Sequence, residues 1–221
     1  MVHQKPVIKM EYNRIRDFIL SYSHDDEGLL GEMYEYAQAE NVPIIRRESR
    51  DFLKTLLEMV KPKRILEIGT AIGYSAIVMA QAAEGASIDT CELDSERVKL
   101  ANQYIEKAGL KERIKVYEED AISFLKSIEE NRYDFVFIDA AKAQYLSYLE
   151  YVFKLVDKGA VIVSDNILAD GDVLESHFLV EKRDRTIHDR MREYLYSIKN
   201  DERLETAILS VADGMAVSVV K

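Results

Sequence analysis

The chain has 221 residues, 48% hydrophobic and 32% charged, which is enough for one α/β domain with a full core and excludes a disulfide-stapled miniprotein. Nine Gly and three Pro are too few for an all-β protein of many tight turns, a collagen-like repeat or a Pro-rich linker. Forty Asp and Glu against 30 Lys and Arg give a formal charge of −10, which as a bulk number speaks against a nucleic-acid partner, because phosphate binding rests on basic surface.

Residues 10–20, 27–41 and 46–60 carry apolar side chains at three- and four-residue spacing, the pattern of amphipathic helices. Lys5, Lys9, Glu11, Arg14, Arg16 and Asp17 interrupt the first twenty residues, so no signal-peptide core is expected there. After Lys61 and Pro62 the pattern changes. Strands are predicted at 64–68, 87–92, 114–118, 135–139 and 160–165, alternating with helices at 74–83, 95–108, 121–130 and 144–156. Strand, helix, strand at this spacing predicts a parallel sheet covered on both faces. A polar, irregular stretch after Asp165 leads to a helix near 185–198. The chain ends in strands at 204–211 and 215–220 around Ala212-Asp213-Gly214, an Asp-Gly hairpin signal that predicts an antiparallel finish. No repeat or linker divides the chain, so residues 1–221 read as a single domain with an N-terminal helical extension (1–60) and a Rossmann-like core (61–221). The single Cys91 excludes an internal disulfide, no His/Cys group has zinc spacing, and no segment approaches the roughly 20 apolar residues of a membrane span. A cytoplasmic protein without a membrane partner or a structural zinc site is expected.

The first strand runs into Glu67-Ile68-Gly69-Thr70-Ala71-Ile72-Gly73-Tyr74-Ser75 and then a helix. A strand, glycine turn and helix place backbone N–H groups and a helix N-terminus beside a ligand at the strand's carboxyl end. A pyrophosphate needs Gly where Ala71 stands and would not favour Glu67, whereas a ligand carrying an ammonium group would. Glu92 ends the second strand, where a carboxylate can take both hydroxyls of a ribose. Asp120 follows the third, positioned for an adenine edge together with the N–H of Ala121. An adenosine with an amino-acid tail, S-adenosylmethionine, fits these three acids better than NAD does. Each acid is equally a residue type that caps a following helix.

The fourth strand ends Phe137-Ile138-Asp139-Ala140-Ala141-Lys142 and the fifth Val163-Ser164-Asp165-Asn166. Fourth and fifth strands are neighbours in a doubly wound sheet, so Asp139, Asp165 and Asn166 can converge at its carboxyl edge. Three oxygen donors without His or Cys describe a hard-cation site, Mg²⁺ or another divalent ion. Asp-Asn is also an ordinary turn after a strand, and Lys142 an ordinary surface lysine. Near a metal and a sulfonium, however, a lysine gives up its proton more readily and becomes a usable base.

Glu67-Ile-Gly-Thr-Ala-Ile-Gly-Tyr-Ser75, Cys91-Glu-Leu-Asp94, Phe137-Ile-Asp-Ala-Ala-Lys142 and Val163-Ser-Asp-Asn166 resemble the cation-dependent O-methyltransferases, the family of catechol and caffeoyl-CoA O-methyltransferases. The resemblance implies the class I S-adenosylmethionine-dependent methyltransferase fold, a mostly parallel seven-stranded sheet with an antiparallel last strand. It implies metal ligands at Asp139, Asp165 and Asn166, a catalytic lysine at Lys142, and cofactor contacts at Glu67, Glu92, Asp120 and the Gly69–Ser75 turn. Plant-type members read Asp-Ala-Asp-Lys where this chain has Ala141, and no long insertion offers to hold a coenzyme A arm. Val42-Pro-Ile-Ile-Arg-Arg-Glu48, Arg183-Asp-Arg-Thr-Ile-His188 and Leu204-Glu-Thr-Ala-Ile-Leu209 are similar to the bacterial tRNA 5-hydroxyuridine methyltransferases. That acceptor presents O5 beside the C4 carbonyl oxygen, a vicinal pair able to chelate a cation as a catechol does. A wobble base in the tRNA anticodon loop needs little unpairing; a small phenol is the alternative acceptor.

Local charge decides whether an acidic protein can bind tRNA. Arg46, Arg47 and Arg50 start a helix, and Lys182, Arg183, Arg185, Arg190 and Arg192 crowd the segment after the irregular stretch. Glu181, Asp184, Asp189 and Glu193 interleave with the second group and can pair with it instead. Tyr145 is placed to wall the pocket or stack on a base, or else to lie in the core, and His188 to fill a surface or capping role. The helices within residues 10–41 are the expected homodimer contact, since apolar faces outside the sheet core need cover.

Overall fold

The computed structural model describes residues 14–129 and 132–221. Residues 14–20 are helical (α1), and the predicted residues 10–13 and 130 of neighbouring helices lie outside the described residues. The elements that follow are α2 (Gly28–Glu40), α3 (Arg47–Val60), β1 (Arg64–Ile68), α4 (Tyr74–Ala82), β2 (Ser87–Glu92), α5 (Ser95–Lys107), β3 (Ile114–Glu118), α6 (Ala121–Ser127) and β4 (Tyr133–Ile138). After a 3-10 turn at Lys142–Gln144 come α7 (Tyr145–Leu155), β5 (Val156–Asp165), α8 (Arg185–Asn200), β6 (Leu204–Leu209) and β7 (Met215–Val220).

The seven strands form one sheet in the order β3-β2-β1-β4-β5-β7-β6. The first five pair parallel, and β7 lies antiparallel between β5 and β6, as the family resemblance implied. Period-two side-chain alternation sends Ile65, Phe135, Phe137, Val161 and Val163 to one face, beneath α2 to α5. Leu66, Ile68, Val136, Ile138 and Ile162 go to the other, beneath α6 to α8. Both faces are dry, which is why these strands read as near-continuous apolar runs. No helix among the described residues is long and apolar enough to cross a membrane.

Two boundaries differ from the sequence expectation for a physical reason. β5 starts at Val156 rather than 160, because Val156 pairs with Tyr133 across a bulge before the regular register from Phe135 onward. The Asp-Gly segment is not a two-residue turn: Leu209 pairs with Met215, leaving a five-residue loop whose polar groups are spent on the segment after β5. The N–H groups of Ile167 and Leu168 donate to the carbonyls of Gly214 and Asp213, at 3.1 and 2.9 Å. The Asp213 carboxylate accepts from Asp170 N at 2.9 Å. The hairpin loop thus braces the chain just beyond Asp165-Asn166.

The segment read as an extension is not peripheral to the core. α2 and α3 pack on α4, and Met33, Ala37, Leu53 and Leu57 are wholly buried in the core of that face. Ile15, Phe18, Ile19 and Tyr22, on the stretch expected to form a dimer contact, are exposed.

Candidate active site

A cavity of about 550 Å³ opens at the carboxyl ends of β1, β2 and β4, with residues following β3 and β5 and the loop before α3 completing its walls. This is the crevice where open α/β sheets hold ligands. Gly69 and Thr70 leave β1 with their N–H groups bonded to the Cys91 carbonyl, at 3.2 and 3.0 Å. Gly69 has φ +106°, and a Cβ there would collide with the main-chain oxygen of Asp139; only glycine lets β1 and β4 come this close. Ala71 also takes a positive φ, 46°, although it has a Cβ. Its N–H donates to Glu92 Oε2 at 3.0 Å, a charge-assisted bond that offsets part of the strain. Glu92 Oε1 accepts from Leu93 N and Asp94 N, so the carboxylate is held rigidly at the cavity wall. Gly73, φ +84°, then starts α4.

Glu67 differs from expectation. It is wholly buried and does not line the cavity. Its carboxyl group accepts hydrogen bonds from Ser75 Oγ at 2.5 Å and Thr90 Oγ1 at 2.6 Å, and Thr90 is bonded in turn to Thr70 at 2.6 Å. Thr70 and Ser75 line the cavity in its place. The reason is β-sheet register: Glu67 points into the sheet face opposite Thr90, its direct partner on β2. Burial, with the negative charges of Asp139 and Glu92, pushes the Glu67 carboxyl up to about 7 against the two hydroxyl bonds. Glu67 therefore folds best protonated: its contribution to stability is complete below about pH 4.5 and is lost as pH rises through 7. Glu67→Gln, uncharged at any pH, is expected to be about 1–2 kcal/mol more stable than wild type at pH 8 and no more stable at pH 5. Parallel denaturation profiles of the two proteins across that range would refute the assignment.

Asp120 combines a capping bond with a place at the cavity. It caps α6 through a bond from Ile122 N at 3.0 Å and, with Ala121, lines the cavity. Tyr74 lines the cavity with its ring while its hydroxyl donates to Asp26, which is ion-paired to the buried Arg50 at 2.7 Å. Tyr145 is not a wall of the pocket. It is fully buried, its ring edge-on to Tyr194, and its hydroxyl donates to the main-chain oxygens of Asp165 at 3.0 Å and Ile138 at 3.4 Å. It ties together the carboxyl ends of β4 and β5. Tyr148, one helical turn further on, joins Tyr74 in the cavity wall.

β4 and β5 bring Asp139, Asp165 and Asn166 together. Asn166, φ +57°, is a residue type that tolerates the left-handed region, and this kink lets Asn166 Nδ2 donate to Asp139 Oδ1 at 2.8 Å. Asp165 is wholly buried. Its Oδ1 accepts from Ser49 Oγ at 3.1 Å and Asn166 N at 2.9 Å, while Oδ2 is buried without a partner. Burial and the charge of Asp139 push Asp165 up to about 7, and burial raises Asp139 as well, against the Asn166 bond and the Lys142 charge. A partnerless buried carboxylate oxygen beside a second carboxyl and an amide oxygen is a donor set suited to a hard divalent cation. Lys142, in the 3-10 turn after β4, lines the same cavity as Asp139 and Asn166.

None of the basic candidates for phosphate contact lines the cavity, and most are held in ion pairs. Arg46 pairs with Asp170 at 2.7 Å, Arg47 with Asp25 at 2.5 Å, and Arg183 with Glu181 at 3.1 Å. Arg185 donates to the Val180 carbonyl, and Arg190 pairs with Glu193. Arg50 is buried and belongs to the fold. His188, expected at the surface or in a cap, is buried instead. Sequence reasoning missed Ile44 and Ile45 in the cavity wall, Arg97 on its β2 side, Thr90 behind it and Ser49 on Asp165. Only Thr90 had a signal, as the polar residue facing Glu67 once β1 and β2 are aligned.

The chain is similar to proteins of known name. A family model described as O-methyltransferase matches residues 20–221. A catechol O-methyltransferase of Niastella koreensis is 30% identical over 208 residues, which is 90% of this chain and 92% of that protein. Caffeoyl-CoA O-methyltransferase 2 of Populus trichocarpa is 32% identical over 184 residues, 80% of this chain and 74% of its own. The crystal structure of an O-methyltransferase from Bacillus cereus in complex with SAH is similar at a TM-score of 0.80 and 26% identity, over 94% of this chain and 97% of that one. A family match from residue 20 to the last residue, over a sheet of this order and a cavity at its carboxyl edge, leads to one conclusion: the chain belongs to the O-methyltransferase family.

Proposed function

We propose that the protein transfers the methyl group of S-adenosylmethionine to an oxygen of a vicinal-dioxygen acceptor, with a divalent cation such as Mg²⁺, and that the acceptor is 5-hydroxyuridine at the wobble position of tRNA. The observation that carries the reaction is the meeting of Asp139, Asn166 and Lys142 at one cavity, with the partnerless Asp165 carboxylate buried behind its wall. Glu92, fixed by three N–H donors, would take the ribose hydroxyls. Asp120 and the Ala121 N–H suit the adenine edge, and Gly69, Thr70 and Ser75 the methionine end. Asp139, Asp165 and Asn166 would hold the cation. When bound, it supplies positive charge that favours the deprotonated acceptor and fixes two adjacent oxygens. Lys142 takes the acceptor's proton at Nζ.

Three sequence segments similar to the tRNA enzymes support the acceptor, and two of them flank the cavity. Ile44 and Ile45 line it just before Arg46 and Arg47, and Ile187 lines it two residues after Arg185. The Arg46–Asp170, Arg47–Asp25 and Arg183–Glu181 pairs involve acids at least 72% exposed. Such pairs are worth about 0–1 kcal/mol each, and a phosphate can displace the acid. Methyl transfer measured in parallel on hydroxyuridine-containing tRNA and on a catechol tests the reading; activity on the catechol alone overturns the tRNA acceptor. Lys142→Ala is expected to lower kcat by about 10²–10⁴-fold with cofactor affinity kept. A kcat within a few-fold of wild type would remove Lys142 from the proton transfer.

A further inference from the structure

Ile187 lines the cavity, and the next two residues belong to a cluster outside it. Asp189 Oδ1 is faced at 2.9 Å by His177 Nδ1 and at 2.9 Å by His188 Nδ1. The ligand atoms of the three lie within 4.8 Å of one another. His188 is buried, and its Nε2 sits 3.2 Å from the main-chain oxygen of Glu175, which can only accept. Nε2 therefore carries the ring proton, and in the neutral ring the Nδ1 lone pair is aimed at a carboxylate oxygen. Lone pairs facing one another at this distance call for a proton or a metal cation between them.

The structure assigns to His177, His188 and Asp189 a second metal site, for a zinc-class divalent cation. Two imidazole nitrogens and one carboxylate oxygen suit Zn²⁺ and its first-row neighbours, unlike the all-oxygen set at Asp139, Asp165 and Asn166, which suits Mg²⁺. Ligand atoms around a tetrahedral ion are about 3.3 Å apart for bonds near 2.0–2.1 Å. On that geometry the two 2.9 Å contacts widen by about 0.4 Å, and the histidine nitrogens, in a group that spans up to 4.8 Å, draw together around the ion. Asp189 is 56% and His177 40% exposed, which leaves the outer side of the site to water. The Glu175 carbonyl behind His188 fixes the tautomer, the role outer-sphere partners play at metal-bound histidines. An ion here would tie the segment carrying Glu175 and His177 to the first turns of α8, and so hold Ile187 at the cavity wall. The absence of zinc spacing in the sequence does not count against this site. Its ligands are eleven residues apart in the chain and meet only because the segment before α8 folds back on the helix.

The test uses the untagged full-length protein in millimolar Mg²⁺, which occupies the all-oxygen site. Zn²⁺ binding is followed by calorimetry and Co²⁺ binding by visible absorption. One saturable equivalent is expected, with His177→Ala and Asp189→Asn each weakening it by at least the about 10–100-fold that even outer-sphere partners carry. His177 is half-exposed, so its variant should keep the wild-type circular dichroism spectrum. Absence of saturable Zn²⁺ binding by wild type, or equal affinity in wild type and both folded variants, overturns the assignment and leaves the cluster as protonated histidines on a shared carboxylate.

Discussion

Asp165→Asn is expected to lower methyl transfer by about 10²–10³-fold, the equivalent of a few kcal/mol of lost charge stabilisation, and at the same time to make the metal-free protein more stable. Asn keeps the oxygen that accepts from Ser49 and from the Asn166 N–H. It removes the charge that burial and Asp139 oppose. The sign follows from the Asp165 carboxyl being pushed up to about 7 from its ordinary 3.8. A raised group stabilises the fold fully below its unfolded value, and that contribution disappears as pH climbs through 7. In EDTA the variant should therefore match wild type near pH 4 and exceed it by about 2–4 kcal/mol at pH 8. Adding a divalent cation should restore wild type and leave the variant where it was, because mass action stabilises only the chain that binds. Two measurements decide it: denaturant midpoints with and without cation across pH 4–8, and turnover after EDTA treatment. A variant that methylates as fast as wild type would end the cation mechanism. One that shows no gain in metal-free stability would mean that Asp165 is not held as a strained acid.

Gly69→Ala should cost several kcal/mol, a large share of the roughly 5–15 kcal/mol that holds a domain together. Two costs add. The backbone at φ +106° lies outside what an L side chain adopts, and the new Cβ would drive into the Asp139 carbonyl oxygen. Relief requires β1 and β4 to part, which also moves Asp139 away from Asn166. Gly109→Ala is the control. It shares a positive φ, +69°, but a Cβ there meets open space, so its cost should be about 1 kcal/mol. Equal denaturation midpoints for the two variants would show that the close approach of β1 and β4 is not what makes Gly69 necessary.

The −10 of the whole chain takes a different meaning beside these acids. Asp165 and Glu67, both pushed up to about 7, carry less negative charge near neutrality than the formal count assumes. The exposed acids that pair with Arg46, Arg47 and Arg183 are weak competitors for a phosphate. Net charge bounds how strongly and how broadly the surface can hold tRNA; it does not decide between acceptors.

By itself the sequence determined the elements and which candidate residues reach the carboxyl edge of the sheet. Period-two and period-3.6 patterns are local, so the sheet strands and their covering helices could be read with boundary errors at β5 and β6. Gly69, Glu92, Asp120, Asp139, Lys142, Asp165 and Asn166 could be placed at strand ends because a parallel sheet sends every such end to the same edge. The tertiary structure decided what periodicity cannot encode. Register set Glu67 against Thr90 and so turned an expected ligand contact into a buried acid behind Ser75 and Thr70. Helical phase put Tyr148 at the cavity and Tyr145 under the strand ends, one turn apart with opposite roles. Long-range packing placed Ser49 on Asp165 across 116 residues of sequence and gathered His177 beside His188 and Asp189. Such contacts join residues far apart in the chain, and their geometry exists only once the layers have packed.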